Sequence, residues 1–145
     1  VHTCLDTSGA GRGIYGEILA HTDLALYDVK HHEPAGYKAV TGGDMAATLD
    51  FVEAVRRAGT PVWVRHVVVP GLTDRPEHLT SLSEYIATLP RVEKVELLPY
   101  HTLGVHKYQT LGIPYPLEGV PPMNKTTLEP WNRQLNEACC RNTDN

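Results

Sequence analysis

Hydrophobic segments of the kind that form β-strands occur at four places along the chain. They cover residues 2–6, 23–29, 61–69 and 94–99. The third segment is rich in valine, and the second and fourth are mostly apolar with few turn-forming residues. Continuous apolar runs of this kind are typical of parallel strands that are buried on both faces. The pattern predicts a parallel sheet covered on both sides.

Apolar residues at helical spacing lie between these strands. One stripe, bounded by Asp44 as the N-cap and Gly59 as the C-terminal stop, consists of Met45, Leu49, Val52 and Val55. A second, which ends at Pro90, consists of Leu79, Leu82, Ile86 and Leu89. Shorter patterns predict helices over about 12–20 and about 128–140, the latter with Pro130 in its first turn.

Alternating strands and helices predict an α/β fold built from right-handed βαβ units. A doubly wound open sheet and part of a (β/α) barrel both fit this order. Four strands are too few to close a barrel that takes eight, and an open sheet would leave exposed edges. Because the chain starts at Val1 already inside a strand pattern, we expect residues 1–145 to be one domain fragment of a larger structure. Residues 101–126, with four prolines, are predicted to be a long surface loop.

Composition excludes several classes of function. A formal net charge of −4 without a cluster of Lys and Arg argues against nucleic acid as a partner. No apolar stretch approaches the roughly 18 to 20 residues that span a bilayer, so no membrane role is expected. Three cysteines, at positions 4, 139 and 140, form neither a disulfide framework nor a CxxC metal site. A reducing, cytoplasmic location is the simplest interpretation.

Polar side chains follow each predicted strand at its carboxyl end, where parallel βα folds place their functional groups. Asp6 and Thr7 end the first strand, Asp28 and Lys30 the second, Arg65 lies in the third, and His101 follows the fourth. Polar residues at strand ends also occur without function, because strand ends meet solvent. The combination of two carboxylates with Lys, Arg and His nevertheless indicates one concentrated polar site.

The two aspartates pose a charge problem, because neighbouring carboxylates repel unless a cation or a proton lies between them. With the Thr7 hydroxyl and backbone carbonyls, Asp6 and Asp28 could form an all-oxygen site for a hard cation. The alternative is that Asp6 only caps the turn that follows it. Lys30 and Arg65 could hold a carboxylate-bearing cofactor, although a surface lysine is an equally good interpretation of Lys30.

The remaining histidines carry no motif. His31, His32, His78 and His106 are predicted to be solvated in loops or at helix starts. The absence of HxH and HExxH argues against a self-contained zinc site, and the absence of GxGxxG and GxxxxGK[ST] against dinucleotide or P-loop binding.

Four blocks of sequence together resemble one family. They are TCLDTSG (3–9), DLALYDVK (23–30), VRHVVVPG (64–71) and VEKVELLPYHTLGVH (92–106). In this order they resemble the pyruvate formate-lyase-activating enzymes, which belong to the radical SAM superfamily, and the likeness extends to about residue 138. The resemblance implies the C-terminal part of a partial (β/α) barrel, with parallel strands that alternate with helices.

The resemblance also implies an activity. Such enzymes use a [4Fe–4S] cluster to cleave S-adenosylmethionine (SAM) and place a glycyl radical on pyruvate formate-lyase (formate C-acetyltransferase) in anaerobic glucose metabolism, with an electron donor such as flavodoxin. By motif, the residues expected to line the SAM pocket are Asp28, Val29, Lys30, Arg65 and His101. Those expected at a monovalent cation site are Asp6, Thr7, Leu26 and Asp28.

The chain departs from that family in one respect. Its 145 residues contain no CxxxCxxC motif, which holds the cluster in these enzymes, so the fragment is expected to be inactive alone and to lack its N-terminal cluster-binding part. Three alternatives stay open at this point: an activase of another glycyl-radical enzyme, a metal-dependent (β/α)-barrel hydrolase or aldolase fragment, and a non-catalytic module that binds the lyase.

Overall fold

The computed structural model describes residues 1–11 and 13–142, the side chains of the last three of these excepted. The strands of the described part are β1 (Cys4–Thr7), β2 (Leu24–Asp28), β3 (Val62–Val68) and β4 (Val92–Pro99). The helices are α1 (Tyr15–Leu19), α2 (Pro34–Thr41), α3 (Ala46–Ala58), α4 (Pro76–Thr88), α5 (Val105–Leu111) and α6 (Lys125–Asn142). The predicted α/β class and all four predicted strands are confirmed.

The strands pair in parallel in the order β1-β2-β3-β4, so each new strand adds beside the previous one. A doubly wound sheet reverses its strand order at a switch point, and this sheet does not. Right-handed crossovers that all progress in one direction place every connecting helix on the same side of the sheet. The topology is therefore that of part of a (β/α) barrel, with helices on the outside.

Only one face of the sheet is covered in the described part of the chain, which corrects the expectation of burial on both faces. The helical face, packed against α1, α3, α4 and α6 in one core, contributes Ala25, Tyr27, Val29, Val62, Val64, His66, Val68, Val95 and Leu97. The open face, half-buried or exposed throughout, contributes Asp6, Leu24, Leu26, Asp28, Trp63, Arg65, Val67, Lys94, Glu96 and Leu98. Apolar residues on the open face, such as Leu24 and Leu26, produced the continuous runs that suggested burial on both sides.

The outer edge of β4 is covered by α6, so the expectation of exposed edges does not hold at this strand. Asn136 accepts a hydrogen bond from the Val95 N–H (2.9 Å) and donates to the Val95 carbonyl (2.7 Å). One turn earlier, Asn132 bonds the N–H and the carbonyl of Leu97 (2.7 and 3.4 Å). The two side-chain amides, four residues apart on one helix face, take the place of a neighbouring strand.

Three helix predictions need correction. Asn124, whose side-chain oxygen accepts the Thr126 N–H at 3.0 Å, starts α6 at Lys125, so Pro130 lies inside the helix and not in its first turn. The predicted loop over 101–126 contains α5. The helix α2 was also missed, although Pro34 at its start and Gly42 at its end are standard helix boundary signals. No helix in the described part of the chain is long and apolar enough to cross a bilayer.

Candidate functional site

An ionic network lies on the open face at the carboxyl ends of β1, β2 and β3. The Arg65 guanidinium donates through Nε to Asp28 Oδ1 at 2.8 Å and through a terminal nitrogen to Asp6 Oδ1. Lys30 Nζ lies 3.3 Å from the other carboxylate oxygen of Asp28. Two acids and two bases that the sequence places up to 59 positions apart thus form one connected group.

Strand register explains how the network forms. Asp28 lies directly opposite Arg65, and Asp6 lies opposite Leu26, two residues before Asp28 on the same face of β2. Arg65 therefore reaches its in-register neighbour with Nε and, diagonally across β2, the carboxylate on β1. Its planar set of donors suits two acceptors at once, which a lysine could not match.

Charge within the network is balanced. Burial opposes the positive charge of Arg65, but the hydrogen bonds that it donates to Asp6 and Asp28, together with their negative charges, outweigh burial and raise the pKa of the guanidinium. The side chains of Arg65 and Asp28 are 20% and 26% exposed, while that of Asp6 is 61% exposed. The Arg65–Asp28 bond is thus the better-shielded part of the network, and the Asp6 contact the more screened one.

Arg65 changes the interpretation of the two aspartates. The sequence predicted a cation between them, and in the structure a guanidinium takes that place. Leu26 lies opposite Asp6 in the register of β1 and β2. The Thr7 hydroxyl instead accepts a hydrogen bond from the Gly9 N–H (3.0 Å), so it shapes the turn after β1. The monovalent cation at these residues stays a prediction.

The other two predicted pocket residues lie apart from the network. Val29 is buried on the helical face, its N–H donates to the Arg65 carbonyl, and its own carbonyl is bonded by His66. His101 follows β4 at the same end of the sheet and is exposed. The neighbouring Tyr100 is buried and fixes this turn, since its N–H donates to the Val68 carbonyl at 3.1 Å.

The turn after β1 packs tightly against α3. Thr48 donates a hydrogen bond to the Ser8 carbonyl (3.0 Å), and the Tyr15 hydroxyl donates to the Gly9 carbonyl (3.0 Å). Gly9 has a φ of +76°, and a Cβ there would lie 2.7 Å from Thr48 Oγ1. Only glycine fits both the conformation and the space. The turn after β1 is therefore fixed against α1 and α3.

Four histidines cluster on the opposite side of the sheet from the network, which corrects the prediction that three of them are solvated. His31, His32 and His78 are each half-buried, and their rings lie 4.7 to 5.0 Å apart between centroids. His66 of β3, 2% exposed, stacks on His78 at 5.3 Å. Of the solvated set, His106 is exposed as predicted. Strand alternation explains the separation, because Arg65 and His66 are consecutive and point to opposite faces.

Burial keeps the inner histidines neutral. It lowers the pKa of His66 to about 4, although the Val29 carbonyl at 2.7 Å acts in the opposite direction. Burial and the neighbouring His66 likewise lower the pKa of His78 to about 4. This cluster could not be predicted from the sequence, because its members come from the β2–α2 loop, a strand and α4.

The described cysteines do not fit an iron–sulfur cluster. Cys4 is exposed on the edge strand β1, and Cys139 lies on α6. A [4Fe–4S] cluster is held by several cysteine thiolates, and the three cysteines of the sequence, at positions 4, 139 and 140, do not have the spacing of such a site. No step of the chemistry is therefore assigned to a cluster bound by these residues.

Comparison with curated proteins finds close relatives. The chain is 47% identical over 137 residues to the pyruvate formate-lyase-activating enzyme of Clostridium pasteurianum, covering 94% of this chain and 58% of that protein. Identity is 43% over 143 residues to the enzyme of the same name from Staphylococcus epidermidis, and 42% over 155 residues to that from Streptococcus mutans. The chain spans a little under three-fifths of the length of these relatives, 57% to 59%. No protein-family model matches the sequence.

Solved structures show the same fold. A domain of a pyruvate formate-lyase-activating enzyme from Bacteroides vulgatus superposes with a TM-score of 0.66 at 18% identity, covering 99% of this chain and 78% of that one. A radical SAM methyltransferase from Sphaerobacter thermophilus superposes with a TM-score of 0.59 at 16% identity, covering 94% of this chain and 37% of that one. At these identities the structures establish the architecture alone.

Proposed function

Because this chain belongs to the family of pyruvate formate-lyase-activating enzymes, we propose that it forms the SAM-binding part of an enzyme that installs a glycyl radical on pyruvate formate-lyase. The whole enzyme would combine residues 1–145 with a cluster-binding segment of the CxxxCxxC type. An electron donor of the flavodoxin class would reduce that cluster. The homology to enzymes of this name at 42% to 47% identity supports the choice of substrate protein.

The single observation that carries the proposal is the bridge that Arg65 makes between Asp6 and Asp28 on the open face of the sheet. A covered face would leave no room for a ligand, whereas this face is half-buried or exposed. In parallel βα folds, ligands bind at the carboxyl ends of the strands, where all the members of this network lie. The network therefore has the position and the access that a cofactor site needs.

The charges of the network suit the amino-acid end of SAM, which carries a carboxylate, an ammonium group and a sulfonium. Lys30, with a side chain 37% exposed, is the cation placed to receive the carboxylate, and Arg65 is the second. Asp6, the most exposed of the acids, is free to turn toward the positive groups. When bound, SAM supplies the carbon–sulfur bond whose cleavage yields the radical. The residues of this chain bind and orient it.

The exposed His101 is proposed to close on the same ligand from the β4 side. The preceding residue, the buried Tyr100, is held against β3, so the exposed imidazole extends from a fixed point of the backbone. A monovalent cation bound by Asp6, Thr7, Leu26 and Asp28 would compete with Arg65 for the same carboxylate oxygens. The cation would therefore enter as Arg65 turns toward the ligand.

Titration of the ¹⁵N-labelled chain with SAM, followed by NMR, tests the proposal. Resonances of Asp28, Lys30 and Arg65 should shift and saturate. 5′-Methylthioadenosine, which has the nucleoside and sulfur but no carboxylate, should shift them much less. Shifts confined to the helical face, or no shifts at millimolar SAM, would contradict the proposed site.

Treatment of the chain with iron and sulfide under anaerobic conditions tests whether the cluster is bound by a segment other than this chain. No stable cluster absorbance should develop, because the required thiolate spacing is missing. A chain that retains a [4Fe–4S] chromophore after desalting would overturn the assignment of the cluster to another segment.

A further inference from the structure

We propose that His31, His32 and His78 form a binding site for a divalent transition metal of the zinc type, on the helical side of the sheet and separate from the ionic network. The inference does not depend on the proposed function. One ring nitrogen from each of the three residues lies within 4.8 Å of the others. All three are half-buried, so a metal there would be partly shielded from water.

The distances are close to those of a bound state. Zinc binds imidazole nitrogen at about 2.0–2.1 Å, which puts two nitrogens of a tetrahedral site about 3.4 Å apart. The three nitrogens would need to move together by about an ångström, which side-chain rotation achieves. Imidazole ligands suit zinc, copper, nickel and iron better than magnesium or calcium. Three histidines leave a fourth position for water.

Hydrogen bonds fix the proton positions in the way that metal binding requires. The Val29 carbonyl can only accept, so His66 donates to it through Nδ1–H at 2.7 Å. His66 Nε2 then carries a lone pair and accepts from His78 Nε2–H at 3.3 Å. The proton of His78 is thereby on Nε2, and its Nδ1 presents a lone pair. The carbonyl–His66–His78 chain is the outer-shell support that orients metal-bound histidines in proteins.

His32 supplies an unusual feature. Within the described residues, its buried Nδ1 has no hydrogen-bond partner. Buried polar atoms without a partner cost free energy, and an unfilled ligand position is a recognised reason for one. Burial and the neighbouring His31 lower the pKa of His32, and Glu33 and Glu84 act in the opposite direction.

His31 is the adaptable member of the site. Its Nδ1 accepts the Glu33 N–H at 3.0 Å, so its proton is on Nε2, and binding a metal through either nitrogen requires the ring to give up this bond. The ring lies directly over Gly36, where a Cβ would overlap it. An alanine at position 36 would push the ring of His31 aside, because the three atoms nearest to the added Cβ all belong to this ring. Gly36→Ala therefore tests the geometry of the site while it keeps all three histidines in the sequence.

Isothermal titration of the metal-free chain with Zn²⁺ near neutral pH tests the proposal. One equivalent should bind, and His32→Ala or His78→Ala should weaken binding by about 100-fold or more, since even an outer-shell partner is worth about 10–100-fold. His66→Gln should fall within that outer-shell range, and His31→Ala and Gly36→Ala should cost less than His78→Ala. The exposed His106→Ala and Cys4→Ser are the matched controls and should bind as the parent does.

Three outcomes would overturn the site: no binding of Zn²⁺ at micromolar concentration, binding that survives His32→Ala and His78→Ala, or binding that is lost in Cys4→Ser. Should a variant fail to fold, NMR of the unaltered chain decides. Zn²⁺ should shift the imidazole resonances of His31, His32 and His78 and leave that of His106 in place. Shifts at His106 alone would refute the site.

Discussion

Arg65 on β3 forms an ion pair with Asp6 on β1, across the intervening strand β2. The same guanidinium bonds Asp28 on β2 at 2.8 Å, so one side chain connects three strands on the open face. The network therefore stabilises the sheet as well as defining the candidate site, and its removal has consequences for both.

Replacement of Arg65 by alanine should lower the free energy of unfolding by about 1–2 kcal/mol, because it leaves the half-buried Asp28 without its closest cation. Asp6→Asn should cost about 0–1 kcal/mol, since that carboxylate is 61% exposed. Urea unfolding of the three proteins measures both values. A larger loss for Asp6→Asn than for Arg65→Ala would contradict the assigned order.

The Arg65→Ala protein should also respond to small cations. With the guanidinium gone, Asp6 and Asp28 are two neighbouring carboxylates that a sodium ion can bridge. NaCl should then raise the melting temperature of Arg65→Ala more than tetramethylammonium chloride at equal ionic strength, because screening is the same and only ion size differs. The unaltered chain should show little difference between the salts. Equal effects in Arg65→Ala would argue against a cation site at these residues.

The β4 edge depends on Asn136. Asn136→Ala should destabilise the chain by about 1–3 kcal/mol, because it leaves the N–H and the carbonyl of Val95 without their partners. Asn136→Asp keeps an acceptor for the N–H but loses the donor for the carbonyl, and should fall between alanine and the parent. Asn132→Ala should cost less than Asn136→Ala, since one of the Asn132 bonds is 3.4 Å long. Thermal unfolding gives the ranking, and equal stability of all four proteins would refute the role of the edge contacts.

A comparison of Gly9→Ala with Gly13→Ala separates the cost of backbone strain from the cost of overpacking. Gly9 and Gly13 have similar φ values, +76° and +81°, but a Cβ at Gly9 would meet Thr48 and Phe51 whereas one at Gly13 meets nothing within 4 Å. Gly13→Ala should cost about 1 kcal/mol for the left-handed conformation alone. Gly9→Ala should cost about 1–3 kcal/mol more through overpacking. Chemical denaturation measures the difference, and equal losses would show that the turn after β1 is not held against α3.

Alkaline stability should depend on Tyr27. Burial of its hydroxyl in the core raises the pKa of this phenol well above its ordinary value, and the neighbouring Tyr85 adds to the effect. The hydrogen bond to Thr48 Oγ1 at 2.5 Å acts in the opposite direction but does not outweigh burial. The unfolded chain releases that proton from about pH 10 upward and the folded chain does not, so stability falls as pH rises above about 10. Tyr27→Phe should be less stable near pH 8 but lose less stability between pH 9 and 11. A parent curve that is flat over this range would contradict the prediction.

Local sequence signals were sufficient for the strands and for the acidic and basic members of the site. Apolar runs located β2 and β3, and the strand-end rule selected Asp28, Lys30 and Arg65. Sequence could not give the register that sets Asp28 opposite Arg65, so the guanidinium between the aspartates was missed. The cluster of His31, His32 and His78 was missed for the same reason: ring stacking between a loop and a helix depends on tertiary packing and leaves no periodic trace.

The predicted helix boundaries were wrong where side chains cap backbone groups. Because Asn124 caps its first turn, α6 begins earlier than predicted. Because Asn136 bonds the backbone of Val95, the same helix covers the edge of β4. An asparagine in a helix is a poor helix former in isolation, and only the neighbouring strand edge explains its presence. The open face was misjudged because Leu26 is as apolar as a core residue although it is half-buried there.

The most direct test of the proposed function is electron paramagnetic resonance of pyruvate formate-lyase. The segment of the Clostridium pasteurianum enzyme that this chain does not match would be fused to it, loaded with a [4Fe–4S] cluster, and incubated anaerobically with SAM, a reductant and the lyase. We predict a glycyl-radical signal that His106→Ala retains and Arg65→Ala reduces by at least about tenfold, equivalent to about 1.4 kcal/mol. A cluster-loaded fusion that gives no radical, or an Arg65→Ala fusion as active as its parent, would contradict the account.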